Sequence, residues 1–65
     1  MYQSLYVFYK VGEMGEPYDI KVQRFSEPGV EHRTSSRMRQ EGYRALRPSE
    51  EVWHLIRVSG AEEIK

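Results

Sequence analysis

The feature that most constrains this fold is a two-residue periodicity in the first 25 positions. Residues 2–11 (YQSLYVFYKV) and residues 18–25 (YDIKVQRF) both have the composition and alternation of β-strands. The segment between them, residues 12–17 (GEMGEP), has two glycines and a proline, which is typical of a turn. The sequence therefore predicts a long β-hairpin.

The first strand of this hairpin is apolar on both faces. That pattern is typical of a central strand, or of an edge strand that another element covers. One face would carry Leu5, Val7, Tyr9 and Val11, and the other Tyr2, Tyr6 and Phe8.

A short helix is predicted over residues 30–41 (VEHRTSSRMRQE). The segment is polar with little β-branching, and Gly42 follows it as a left-handed C-cap. Its start stays open between a position near Pro28 and an N-cap at Thr34 or Ser35.

The last third of the chain is ambiguous. Residues 43–47 (YRALR) predict a short third strand. In residues 51–58 (EVWHLIRV), β-branched and aromatic side chains favour a strand, whereas Ser49 and the acidic residues after it are typical of a helix start. We predict a strand there, and a frayed tail over residues 61–65.

These elements predict an α+β fold with one domain over residues 1–65. The order is β-β-α-β-β, a small antiparallel sheet with one helix packed on one face. At 65 residues the chain lies near the lower size limit for a domain that folds without disulfides, a bound metal or a partner subunit. The absence of cysteine excludes disulfides. From the initial Met and the lack of a tag we expect an intact small protein.

Positive charge is concentrated in the middle of the chain. The formal net charge is zero, which disfavours a general polyanion binder. Residues 32–48 nevertheless carry five arginines against one glutamate, a net of +4. These arginines are Arg33, Arg37, Arg39, Arg44 and Arg47.

This arginine-rich segment, residues 32–47, has three interpretations. The helix would have to continue through residue 44 for a further pattern to form. In that case Arg33, Arg37 and Arg44 would share one helical face. Guanidinium groups bind carboxylates and phosphates in bidentate fashion. The segment is therefore a solvated helix face, a contact with an acidic protein surface, or a contact with nucleic acid.

The aromatic row Tyr2, Tyr6 and Phe8 also has alternative interpretations. Large aromatic side chains are natural core material in so small a domain. An exposed row would instead contact a protein partner or a second copy in a homodimer, or stack on nucleobases. The strand lacks the glycine and basic residues of the RNA-binding sheet signature.

Several classes of site are disfavoured by the sequence. It has no nucleophile elbow, no phosphate-binding glycine loop and no thiol, so we predict no enzyme and no cofactor. His32 and His54 lack the short spacing of a zinc site, so no metal is predicted.

No apolar run approaches the roughly 20 residues that span a bilayer, and the N-terminus does not resemble a signal peptide. We therefore expect a cytoplasmic protein without membrane contact.

The sequence favours a small noncatalytic binding protein that acts on a protein partner, as an inhibitor or accessory subunit. Such small proteins are common in phages and mobile elements, an expectation that rests on chain length alone. The predicted contacts are the five arginines together with Tyr2, Tyr6 and Phe8. The alternative is a nucleic-acid-binding module that uses residues 32–47.

Overall fold

The computed structural model describes residues 2–64, which form a four-stranded sheet and two helices. In chain order the elements are β1 (Ser4–Val11), β2 (Pro17–Phe25), α1 (Val30–Gln40), β3 (Arg44–Leu46), α2 (Glu50–Val58) and β4 (Glu62–Ile64).

The predicted hairpin is confirmed. β1 pairs antiparallel with β2 from Ser4↔Phe25 to Val11↔Pro17, with an irregularity between Phe8 and Lys10. The turn is closed by a hydrogen bond of 2.8 Å from the Gly12 amide to the Glu16 carbonyl. Gly15 has φ +83°, a conformation that glycine adopts without a steric penalty.

The predicted helix and third strand are also confirmed. α1 begins after Gly29 and not at Thr34 or Ser35, and the Glu31 carboxylate accepts a hydrogen bond of 2.8 Å from the Gly29 amide. Gly42 lies just beyond the helix with φ +95°, as a C-cap glycine should. The chain then enters β3, which pairs antiparallel with β1 through Phe8↔Ala45.

The predicted strand over residues 51–58 is wrong, because this segment is α2. The Ser49 hydroxyl accepts a hydrogen bond of 3.3 Å from the Val52 amide, which caps the helix. Trp53 is completely buried and donates from Nε1 to the Tyr6 carbonyl at 3.1 Å. β-branched residues disfavour a helix by only fractions of a kcal/mol each, about 0.7 at most, so the cap and the burial of Trp53 outweigh them.

Two further predictions are wrong at the C-terminus. The sheet is mixed and not wholly antiparallel, because β4 pairs parallel with β2 from Lys21↔Glu62 to Gln23↔Ile64. Residues 62–64 therefore form a strand and not a frayed tail, and Lys65 lies outside the described residues. Lys21 Nζ lies 3.2 Å from Glu62 Oε2, which ties the short strand to the hairpin.

The strand order β3-β1-β2-β4 places the hairpin in the centre of the sheet. The β2-α1-β3 connection crosses β1 in one direction, and the β3-α2-β4 connection returns in the other. Crossovers between parallel strands are almost always right-handed, so crossovers in opposite directions put their helices on opposite faces. The single predicted helix layer is accordingly replaced by two.

The side chains of β1 divide the core into two clusters, one under each helix. On the α1 face the buried residues are Tyr6, Phe8, Phe25, Met38 and Tyr43. On the α2 face they are Val7, Val22 and Trp53.

Candidate functional site

A groove with basic walls lies between α1 and the end of β3. His32, Ser35 and Arg39 are spaced at three and four residues, so they share one face of α1. Arg47 closes the opposite side, immediately after β3. This basic groove has a volume of about 380 Å³ and is lined by Tyr6, His32, Ser35, Ser36, Arg39, Ala45 and Arg47.

The basic groove carries unneutralised positive charge. Within residues 2–64, neither Arg39 nor Arg47 has a carboxylate oxygen within 4.0 Å. The Arg47 guanidinium lies 5.4 Å from the centre of the Tyr6 ring, a cation–π distance that holds it at the groove wall. The Ser35 hydroxyl is buried and has no hydrogen-bond partner among the described residues. These groups are suited to holding an anion.

The other predicted arginines lie outside this groove. α1 ends at Gln40, so the predicted helical face with Arg33, Arg37 and Arg44 does not form. Arg33 and Arg37 are exposed on α1, and Arg37 Nε lies 3.9 Å from Glu41 Oε2. Arg44 is an exposed residue of β3.

The predicted aromatic row lies mostly in the core. Tyr6 and Phe8 are buried beneath α1, at 7% and 0% exposure. Tyr2 is 41% exposed, and its hydroxyl donates a hydrogen bond of 2.7 Å to Glu31 Oε2. This hydrogen bond lowers the pKa of the Glu31 carboxyl and raises the pKa of Tyr2. Tyr2 therefore joins β1 to the start of α1.

A second groove lies on the opposite face of the sheet, beside α2. This apolar groove has a volume of about 350 Å³ and is lined by Val7, Tyr9, Pro17, Ile20, Leu46, Ile56 and Ser59. Leu46 is 46% exposed, and Leu55 on the adjacent surface of α2 is 65% exposed. α2 thus covers only part of its face of the sheet.

The apolar groove was not predicted from the sequence, because the groove depends on residues 50–58 being a helix. In a helix, Val52 and Leu55 are neighbours of Ile56 and Ser59, since residues four apart lie side by side. The signal in the sequence was the Ser49 cap followed by Glu50 and Glu51.

Besides the two grooves, a cluster of polar side chains joins β2 to β4 and to Tyr43. The Tyr43 hydroxyl donates a hydrogen bond to Asp19 Oδ2, which lowers the pKa of the Asp19 carboxyl and raises the pKa of Tyr43. Lys21 lies between Asp19, at 3.4 Å, and Glu62, and its pKa is raised mainly by its hydrogen bond to Glu62. These groups satisfy one another, so the cluster serves the fold.

Two kinds of feature are absent from residues 2–64. Neither α1 nor α2 has the length and apolar character that a bilayer crossing requires. Residues 2–64 contain no group of three or more histidine, aspartate or glutamate side chains placed to hold a metal ion.

Comparisons with protein-family models, with curated proteins and with solved structures gave no match to this chain.

Proposed function

We propose that this chain is a noncatalytic binding protein that docks on a protein partner, as an inhibitor or accessory subunit. The observation that carries this proposal is the apolar groove and the exposed side chains of α2 beside it. Contiguous exposed apolar surface marks interaction sites, whereas single exposed apolar residues do not. Leu46 is exposed and lines the groove with the half-buried Ile56, and the exposed Leu55 lies beside the groove on the surface of α2.

Helix α2 explains why this surface persists in a folded chain. Trp53 anchors the helix through complete burial and its hydrogen bond to Tyr6, so Val52 and Leu55 are not needed for packing. Replacing exposed apolar residues away from special features changes stability little, within about 0.5 kcal/mol. An exposed surface that the fold does not require is suited to binding.

The proposal is tested by affinity capture with wild-type protein and two variants. Val52→Glu/Leu55→Glu puts two charges beside the apolar groove, and Met14→Glu puts one at a hairpin-loop residue that is 94% exposed. We expect a protein that wild type and Met14→Glu retain and the double variant loses. Its complex with purified wild type should have a defined stoichiometry in sedimentation.

Two results would contradict this proposal. If every captured protein is retained equally by the double variant, α2 and the apolar groove do not form the interface. If wild type alone sediments as a dimer and the double variant as a monomer, the surface belongs to a homodimer.

A nucleic-acid-binding function is the second candidate, and the basic groove favours it. Arg39 and Arg47 would contact phosphates through charge-assisted hydrogen bonds. The test is an NMR titration with mixed DNA and RNA oligonucleotides at low and physiological salt. Shifts at groove residues that persist at physiological salt support it. Shifts that vanish as salt rises reduce the groove to a generic basic patch.

A further inference from the structure

Strand β3 is an edge strand with a free side. In the order β3-β1-β2-β4 it pairs with β1 on one side, and within residues 2–64 no strand pairs with its other side. The unpaired N–H and C=O groups of an edge can accept an extended peptide as an additional strand.

The two grooves flank this same edge. Successive side chains of a strand point to opposite faces. Ala45 packs toward the cluster under α1 and lines the basic groove, whereas Leu46 lines the apolar groove. A strand added to β3 would therefore direct alternate side chains toward two chemically different grooves.

We propose that the partner binds as an extended segment in which acidic and apolar residues alternate, paired with β3. The acidic side chains enter the basic groove and the apolar side chains enter the apolar groove. This inference rests on the proposed function and names the chemistry of the partner segment.

The charges at the edge favour an acidic segment. Arg39 and Arg47 have no carboxylate within 4.0 Å in the described chain, and Ser35 offers a buried hydroxyl without a partner. Carboxylates accept hydrogen bonds from guanidinium groups in bidentate geometry, which gives register as well as affinity.

The same charges disfavour a second copy of this chain at β3. Symmetric pairing of two β3 edges would bring Arg44 and Arg47 of both copies to one seam, and like charges across strands are destabilising. The acidic edge strand β4 of another copy is also a poor occupant, because its acidic groups are already engaged. Glu62 contacts Lys21 at 3.2 Å, and Glu63 contacts Arg57 at 4.0 Å.

The test uses three fluorescein-labelled peptides and measures fluorescence anisotropy at physiological salt. The first has the sequence EVEVEVE, the second has lysine in place of each glutamate, and the third is EVEVEVE with its central backbone amides N-methylated. The first should bind and the other two should not. ¹⁵N NMR should show shifts at the amides of Ala45 and Leu46.

Variants assign this binding to the two grooves. Arg39→Glu/Arg47→Glu should weaken peptide binding by about tenfold or more, because it replaces charge-assisted hydrogen bonds with repulsion. Arg33→Glu/Arg37→Glu makes the same charge change on the exposed part of α1. It should change the affinity for the peptide by no more than about twofold, since exposed charges outside the groove contribute little. Leu46→Lys should weaken binding, whereas Met14→Lys should not. Circular dichroism verifies that each variant is folded.

Four results would overturn the inference. The first is that the N-methylated peptide binds as tightly as EVEVEVE. The second is that Arg33→Glu/Arg37→Glu weakens peptide binding as much as Arg39→Glu/Arg47→Glu does. The third is no binding at peptide concentrations up to about 1 mM, the weak end of recognition. The fourth is that a single-stranded DNA oligonucleotide shifts the NMR signals of the groove residues at physiological salt and the peptide does not. A partner that depends on Val52 and Leu55 would still support the proposed function in each of the first three cases.

Discussion

The two faces of the central sheet are covered to different extents by their helices. Beneath α1, five buried side chains form a closed cluster, and the opening beside it is lined by arginine, histidine and serine. Beneath α2, three buried side chains form a smaller cluster, and the opening beside it is apolar. The difference shows that buried side chains close the α1 face more fully, whereas the α2 face leaves apolar surface exposed, the surface on which the proposed function rests.

The largest effect is expected from truncating the anchor of α2. Trp53→Ala should destabilise the protein by about 3–5 kcal/mol, the cost of removing a buried large aromatic side chain. A domain of this size has a free energy of unfolding of about 3–10 kcal/mol, so much of the variant population should unfold. Urea denaturation followed by far-UV circular dichroism measures this.

Trp53→Phe is the milder partner of that variant. It retains most of the apolar burial, but it removes the hydrogen bond to the Tyr6 carbonyl and leaves a small cavity because phenyl is smaller than indole. If Trp53→Ala cost less than Trp53→Phe, or no more than an exposed substitution, Trp53 would not anchor the α2 face.

Acid is expected to weaken the α1 face. The pKa of Glu31 and the pKa of Asp19 are both lowered in the fold by hydrogen bonds from tyrosine hydroxyls. Their stabilisation is present above the ordinary pKa values, 4.5 and 3.8, and is lost as pH falls through the lowered folded values. The melting temperature should therefore fall as pH is lowered below about 4.5.

Glu31→Gln is the control for this pH dependence. The variant should melt at a lower temperature than wild type at neutral pH, and the two curves should converge in acid. A wild-type melting temperature that stayed constant from pH 6 to pH 2 would contradict the assignment.

A smaller effect is expected at the start of α2. Ser49→Ala removes the side-chain cap and should cost about 1 kcal/mol, as N-cap replacements do. Ser49→Asp should retain the cap and most of the stability. Chemical denaturation of the three proteins compares them, and equal midpoints for Ser49→Ala and wild type would show that the cap is not needed.

The smallest effect on stability is expected on the exposed side of α2. Leu55→Ala should change the free energy of unfolding by less than about 0.5 kcal/mol, since Leu55 is exposed. Met38→Ala, which opens a cavity beneath α1, should cost about 2–5 kcal/mol. Similar values for the two variants in urea denaturation would remove the difference between the two faces on which the proposed function depends.

Much of the α1 face was predictable because its signals are local. The alternation in β1 and β2 predicted the hairpin, and Gly42 predicted the end of α1. The candidate site was less predictable. The arginine-rich segment was identified, yet the residues that share the basic groove, Arg39 and Arg47, come from a helix and from the end of a strand, and only the packing of α1 against β3 brings them together.

The sequence by itself determined the hairpin, the first helix and the concentration of positive charge, because periodicity, turn residues and charge act over a few neighbouring positions. The tertiary structure decided the rest. Residues 50–58 have opposing local preferences that nearly cancel, so the burial of Trp53 against Val7 and Val22 made them a helix. Residues 62–64 are too few to form a strand alone, and they became β4 only because α2 returned the chain to the free edge of β2.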